Sequence, residues 1–297
     1  MTTLTLHACR AILAGAILSA CATSELSEYW PATGPPVPPF HPSAGRLQAP
    51  AFETCHYRAS LLGIPVGEGT LTVEPELGGR KVLRATLIAF PVVDFLYHVR
   101  GTFESVLEVE PLQPLSFSYS EEGEEVLEPP IVLVDRTEGI ATLRKVSADG
   151  IRHYFIAVDD PLDPLSLVQQ LCFLELAPCQ EIEYEVLSPR GKLFVRVTGE
   201  SREDVKSGGR LWRACSRYRL STQDKPTMPG APPPQPLGRY VVWIAPDEGR
   251  PLVRAERDLA LGTLVVELVT REMREVPPVT QSRQPLALAG SQQAKGR

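Results

Sequence analysis

The sequence predicts an all-β fold: an antiparallel curved sheet or half-open β-barrel, with one or two short helices and a helix covering the mouth. Short segments alternate apolar and polar side chains, which is the period of a half-buried strand. Turn signals separate these segments and few helical stretches lie between them, so the strands should form an antiparallel meander. Hydrophobic residues make up 43% of the 297 residues and charged ones 22%, which suffices for a large core.

Residues 1–20 have the pattern of an export signal. Arg10 precedes the uncharged run from Ala11 to Ala20, which is too short to span a bilayer. The residues Leu18-Ser19-Ala20-Cys21 resemble the lipobox of bacterial lipoproteins. The resemblance implies that Cys21 is lipidated and anchors the chain to a membrane, and an ordinary signal peptide or a short buried helix is the alternative. By analogy with Gram-negative sorting, Ala22 after the cysteine implies a lipid-anchored envelope protein that faces the periplasm, at the outer membrane.

Proline divides the rest of the chain. The 29 prolines are roughly twice the usual share, and they cluster where regular structure is excluded. Residues 21–50 are predicted to be an extended tether, residues 224–238 a long loop between strands, and residues 276–297 a disordered tail. One β-rich domain, 51–275, remains between the tether and the tail.

Within this domain the strands follow from alternation and from turns. The pattern begins with Cys55, Tyr57, Ala59 and Leu61, all flanked by polar neighbours. Glycine-containing turns, such as the one at 207–209, separate later segments. The further predicted strands are 69–73, 81–89, 101–110, 115–121, 131–135, 139–147, 151–158, 182–188, 192–199, 211–220, 239–245, 251–257 and 262–269.

Two segments are predicted to be helical. Val92 to His98 can form one or two turns. The segment 163–174 is the stronger candidate, because Asp163 can cap the helix and Pro164 suits its first position. Its apolar residues form one broad face, so we expect this helix to cover the open edge or mouth of the sheet.

The cysteine count predicts two disulfides. Loss of the signal removes Cys9, and lipidation would occupy Cys21. Four cysteines then remain, an even number for an oxidising compartment: Cys55, Cys172, Cys179 and Cys215. Three pairings are open; we favour Cys172 with Cys179, which closes a short loop, and Cys55 with Cys215, which joins two strands. A zinc site competes, but the cysteines lack CxxC spacing and a histidine at ligand spacing.

No motif predicts catalysis, a cofactor or a metal. The histidines of the domain are His56, His98 and His153, and they form no HxH or HExxH pattern. Phosphate-binding loops, dinucleotide fingerprints and nucleophile elbows are also missing from the sequence. We therefore predict a protein that is not an enzyme, with an envelope hydrolase as a distant alternative.

Carboxylates are the remaining candidates for binding. Asp159, Asp160 and Asp163 could hold calcium, but helix capping explains them more simply. The acidic run from Glu121 to Glu125, with Glu128 after it, is typical of a solvated turn. The formal net charge of −6 argues against a nucleic-acid partner.

Three motifs follow one another along the domain: Leu62-Gly63-Ile64-Pro65-Val66-Gly67-Glu68-Gly69, Asp163-Pro164-Leu165-Ser166-Leu167, and Trp243-Ile244-Ala245-Pro246-Asp247 leading to Pro251-Leu252-Val253-Arg254. Together they resemble the exported bacterial family of domain of unknown function 3108. The resemblance covers roughly residues 52–270. It implies an envelope location and a curved antiparallel β-structure, and it supplies no activity and no catalytic residues. The lipobox, the tether and the loop at 226–236 depart from the family's pattern.

Two functions follow as hypotheses. In the first, the curved sheet and its helix enclose an apolar cavity for a lipid or another hydrophobic envelope ligand, which resembles the LolA and LolB kind of lipoprotein carrier in strand count and helix lid. In the second, the chain is a structural or assembly lipoprotein that holds a protein partner, and its interior is a filled core. The residues that face inward discriminate the two.

Overall fold

The structure, a computed structural model, describes residues 52–76, 79–91, 100–108, 112–121, 128–148, 150–188, 191–223, 236–259 and 261–274. The predicted signal, tether, first helix and tail lie outside these ranges, as do residues 224–235 of the predicted loop. Fourteen described strands form one antiparallel sheet that is not closed, which confirms the fold class. The strands are β1 Phe52–Leu61, β2 Ile64–Glu76, β3 Arg80–Ala89, β4 Arg100–Glu108, β5 Gln113–Glu121, β6 Glu128–Asp135, β7 Ile140–Ser147, β8 Gly150–Ala157, β9 Glu181–Ser188, β10 Gly191–Ser207, β11 Arg210–Gln223, β12 Pro236–Ile244, β13 Leu252–Leu259 and β14 Gly262–Arg274.

The order of strands in the sheet joins the two ends of the domain at its centre. Strands β1 to β8 and strands β9 to β14 each form a consecutive meander, and β1 pairs with β14 between them. The two edges are therefore β8 and β9, which follow each other in sequence. The single described helix, α1 (Pro164–Phe173), lies in the connection between these two edges.

This connection forces the sheet to curve. Fourteen strands laid flat would separate β8 from β9 by roughly 60 Å at the usual inter-strand spacing. Leu162, however, already lies beside β9, where it forms a parallel bridge with Val186. Ala157 ends β8 five residues earlier, and five extended residues reach at most about 17 Å. The edges must therefore approach each other, and the Nζ of Lys192 donates to the Ala157 carbonyl across the gap at 2.8 Å.

Helix α1 begins and ends as local sequence dictates. Asp163 accepts hydrogen bonds from the amides of Leu165 and Ser166, while the Ser166 hydroxyl accepts from the Asp163 amide, and Pro164 opens the helix. The predicted cap is confirmed. All ten helical residues are buried, so α1 lies within the concave side of the sheet and is more enclosed than a lid on its mouth.

Strands β10 and β11 extend further than alternation predicts. Their hairpin continues past 199 to the turn at Gly208 and Gly209, and its far end packs on the sheet. There the indole Nε1 of Trp243 donates to Glu203 at 2.6 Å. Strand β12 begins at Pro236, inside the predicted loop 224–238, because Gln223 pairs with that residue and draws it into the sheet.

Three hydrophobic clusters form the described core. One joins α1 to β9–β13, one joins Leu165 and Phe173 of α1 to β2–β7, and one gathers the central strands with Trp243 and the β10–β11 hairpin. The helix is thus supported on both flanks of the sheet. Across the described ranges, no helix combines the length and the apolar character that crossing a membrane requires.

Candidate functional site

Part of the inner face of the central strands carries small residues. The register places Ala59, Gly67 and Ala89 side by side on β1, β2 and β3, and Gly69 lies opposite Tyr57 in the next row. The flanks of the same face carry large residues instead, including Phe103, Phe117, Tyr218 and Tyr240. Because α1 packs on these bulky flanks, we infer that space remains beneath it at the centre.

Partial exposure marks this space. Leu71 and Ala255 are inner-face residues of central strands, yet both are only partly buried, and Leu71 packs against all three clusters. On the helix, Val168, Gln169 and Cys172 keep 7–8% exposure, and these positions lie on one face at helical spacing. We name this space the inner chamber, lined by Tyr57, Ala59, Gly67, Gly69, Leu71, Val168, Gln169, Cys172 and Ala255.

One end of the inner chamber is polar. The Nε of Arg271 donates to the Glu53 carboxylate at 2.6 Å, and both side chains are largely buried. The Cys55 thiol donates to the same carboxylate at 3.3 Å. Burial lowers the pKa of Lys81, an effect that the charge of Glu53 opposes. An apolar space with charged groups at one end suits an amphipathic ligand.

Tyr57 and Cys172 face each other between the sheet and α1. The Tyr57 hydroxyl donates to the Leu252 carbonyl at 3.1 Å. Burial is the main reason that the pKa of Tyr57 lies well above its ordinary value, and burial raises the pKa of the Cys172 thiol to about 12. Both groups are therefore neutral at physiological pH, and neither is activated as a nucleophile.

Several buried polar atoms have no hydrogen-bond partner within the described part of the chain. Among them are the Oε1 of Gln170 on α1 and the hydroxyl of Tyr184 on β9. The amide nitrogen of Gln170 is satisfied by the Leu112 carbonyl at 3.3 Å. An unsatisfied buried polar atom costs about 1–3 kcal/mol, and native proteins usually satisfy such atoms with water or a ligand.

The predicted carboxylate cluster does not converge on a ligand. Asp163 is buried and caps α1, and its second oxygen accepts from the Ser105 hydroxyl at 2.6 Å. Asp159 lies exposed before the helix. No group of three or more potential metal ligands occurs in the ranges that the structure describes.

The other polar candidates are scattered over the sheet. His153 lies on the exposed strand β8 and His56 on β1, while His98 lies outside the described residues. Glu128 pairs with Arg144 across β6 and β7 at 2.8 Å. None of these groups lies with the residues of the inner chamber.

Neither predicted disulfide is formed, and all four cysteines are free. Cys172 is buried on α1, whereas Cys179 lies on an exposed turn that its amide ties to Gly199. Cys55 is engaged with Glu53, and Cys215 is buried on β11, where its pKa is raised to about 11, chiefly by burial. Cys172 and Cys179 thus lie in different surroundings, whereas Cys55 and Cys215 belong to one hydrophobic cluster but are not bonded to each other.

Alternation alone could have found part of the chamber. Cys55, Tyr57 and Ala59 were identified as one face of a strand, and the same period includes Glu53. Gly67 and Gly69, by contrast, carry no such signal, because a glycine within a strand is also typical of a bulge or a bend. The β1–β2 pairing does contain such an irregularity after Ala59, but the pairing with β3 also places these glycines on the chamber wall.

Comparison with known proteins gives a family and a fold. The family model described as protein of unknown function, DUF3108, matches residues 56–269. The crystal structure of a β-barrel-like protein of domain of unknown function DUF1849 from Brucella abortus is similar at a TM-score of 0.52 and 7% identity, covering 77% of this chain and 100% of that one. The crystal structure of lipoprotein LppX from Mycobacterium tuberculosis aligns at 13% identity and a TM-score of 0.19, covering 75% of this chain and 87% of that one. No curated protein matches the chain.

Proposed function

The chain belongs to the DUF3108 family of proteins of unknown function, and from its geometry we propose that it is a non-enzymatic carrier. In this proposal it is a cell-envelope lipoprotein whose inner chamber binds the apolar part of a lipid or similar ligand. The observation that carries this proposal is the partial exposure of Leu71 and Ala255 on the concave face. In a filled β-core, central inward residues are fully buried. Here Leu71 and Ala255 remain partly accessible, although their neighbours Tyr57 and Ala59 are buried.

The chemistry of the chamber supports a lipid-like ligand. Its walls are mostly apolar and include two glycines, while Glu53, Arg271 and Lys81 provide a polar end. The unsatisfied oxygens of Gln170 and Tyr184 are further groups that water or a ligand could satisfy. The neutral state of Tyr57 and Cys172 supports binding rather than covalent chemistry.

The proposed anchor is a lipid on Cys21, which lies outside the described residues. Acyl chains contribute roughly 0.8 kcal/mol per buried CH₂, so several chains hold a domain on a membrane without a spanning helix. Mass spectrometry of the mature N-terminus should find a diacylglycerol-modified Cys21. Unchanged electrophoretic mobility after globomycin-type blockade of lipoprotein processing would contradict this assignment.

The carrier proposal is tested by filling the chamber. Native mass spectrometry of the full-length protein should find a co-purified lipid, and N-phenyl-1-naphthylamine, an apolar dye, should bind with increased fluorescence. Ala255→Trp places a large ring on the partly exposed inner wall and should weaken dye binding at least about tenfold. The matched control is Val265→Trp on the outer face of the neighbouring strand, which should leave binding unchanged. Equal binding by both variants, or no ligand in the wild type, would refute the carrier.

A structural or assembly lipoprotein is the second candidate, and strand β8 favours it. Phe155 and Ile151 on this edge strand are among the most exposed large apolar residues of the described sheet, as expected of a partner-binding surface. The two roles separate experimentally, since a partner at β8 would survive Ala255→Trp while a ligand in the chamber would not.

A further inference from the structure

Strand β8 is an edge without the usual protection. It pairs with β7 alone, and it contains no proline and no lysine, which are common devices against edge-to-edge association. The other edge, β9, is partly covered, because Leu162 bonds to the backbone of Glu185 and Leu187. The unprotected edge of this sheet is therefore β8.

The outer face beside this edge carries exposed apolar residues among polar ones. Ile151 and Phe155 are 55% and 72% exposed, and the register aligns Phe155, across Thr142 of β7, with Leu133 of β6, which is 50% exposed. Large exposed apolar side chains close to one another on a sheet are typical of an interaction surface. An occupant should both add a strand to β8 and cover these side chains.

The sequence of β8 is complementary to itself. An antiparallel two-fold pairing centred on His153 places Ile151 opposite Phe155 of the second copy, and Arg152 opposite Tyr154. Apolar side chains then meet apolar ones on the outer face, and each guanidinium meets an aromatic ring. Apart from His153 on the axis itself, no two like charges lie directly across from each other.

The pairing also fits the rest of the structure. It uses residues 151–155, whereas the contact between Lys192 and the β8 backbone is at Ala157. The same patch is used by both copies, as a two-fold interface requires. From these observations we propose that two copies of this chain associate through antiparallel pairing of their β8 strands, with His153 on the two-fold axis. This inference does not depend on the carrier function.

The register is tested by cysteine crosslinking of the full-length protein. Directly opposite residues of an antiparallel pair have Cα atoms about 4.5–5.5 Å apart, within the range of a disulfide. His153→Cys should therefore crosslink to its own copy. Arg152→Cys, the matched control, would have its Cα atoms about 8 Å apart and should not. Both are made with Cys179→Ser, because Cys179 is the exposed native thiol of the described chain.

The interface itself is tested by charge. Phe155→Lys should reduce both the dimer fraction in sedimentation equilibrium and the His153→Cys crosslink at least about tenfold. Ile88→Lys, at an exposed apolar site on β3, should change neither, and thermal unfolding checks that both variants remain folded. Three results would each overturn the proposal. They are equal crosslinking at positions 152 and 153, a wild-type protein that stays monomeric at about 100 μM, and a foreign protein that shields Phe155.

Discussion

The substitution Asp163→Ala tests how α1 is held inside the sheet. The carboxylate accepts from the Leu165 and Ser166 amides and from the Ser105 hydroxyl. Loss of an N-cap costs about 1 kcal/mol, and loss of a hydrogen bond to a charged acceptor costs about 1.5–3 kcal/mol. We therefore expect the free energy of unfolding to fall by about 2.5–4 kcal/mol, which lowers Tm by roughly 5–15 °C for a domain of this size.

The matched control is Asp159→Ala, since Asp159 is an exposed aspartate just before the helix. Urea unfolding of both variants, followed by circular dichroism, measures the difference, and Ser105→Ala completes a double-mutant cycle with a coupling of about 0.5–3 kcal/mol. If Asp163→Ala destabilises the protein no more than Asp159→Ala, the cap does not hold α1 in place.

The same group predicts a pH dependence. Burial raises the pKa of Asp163 above its ordinary value of 3.8. At a pH between the unfolded-state and folded-state pKa values, the folded protein therefore keeps a proton on this carboxyl group that the unfolded protein has lost. The stability that this raised pKa confers is fully present below about pH 3.8 and is lost as the pH rises through the folded-state pKa. The free-energy difference between wild type and Asp163→Asn, which does not titrate there, should therefore fall from acid to neutral pH. A difference that grows with pH would contradict the burial argument.

Three further outcomes are expected. Trp243→Phe removes the hydrogen bond to Glu203 and should lower the free energy of unfolding in urea by about 1.5–3 kcal/mol. An unchanged free energy of unfolding would show that this contact does not stabilise the hairpin. In the native protein Cys179 should react quickly with Ellman's reagent, and the buried thiols only after unfolding; these are Cys55, Cys172 and Cys215. Gly208→Ala should destabilise more than Gly209→Ala, since both have positive φ but only Gly208 has backbone atoms where a Cβ would lie; equal Tm values would contradict this.

Local patterns predicted the fold class and α1, because alternation and capping act between residues close in sequence. They did not predict that β10 continues through Glu203 to Ser207, where the sequence is charged. That extension is stabilised by pairing with β11 and by packing against Trp243, which are contacts distant in sequence. Alternation likewise does not predict the pairing of β1 with β14, since any two strands with an alternating pattern could be neighbours in a sheet.

The inner chamber follows from how the two ends of α1 are held. Its first turn is tied to β4 through Ser105, and its C-terminal carbonyl at Leu174 accepts from the Tyr218 hydroxyl at 2.5 Å and from Arg250 at 3.0 Å. A ten-residue helix is about 15 Å long, so these contacts support it on both flanks of the curved sheet. The small residues at the centre, Gly69 among them, cannot reach the helix that the large flanking residues support. The sequence therefore favours the space in two ways, through large residues at the flanks and through small residues at the centre. In the carrier that we propose, a glycine there serves ligand binding as well as the bend of the strands.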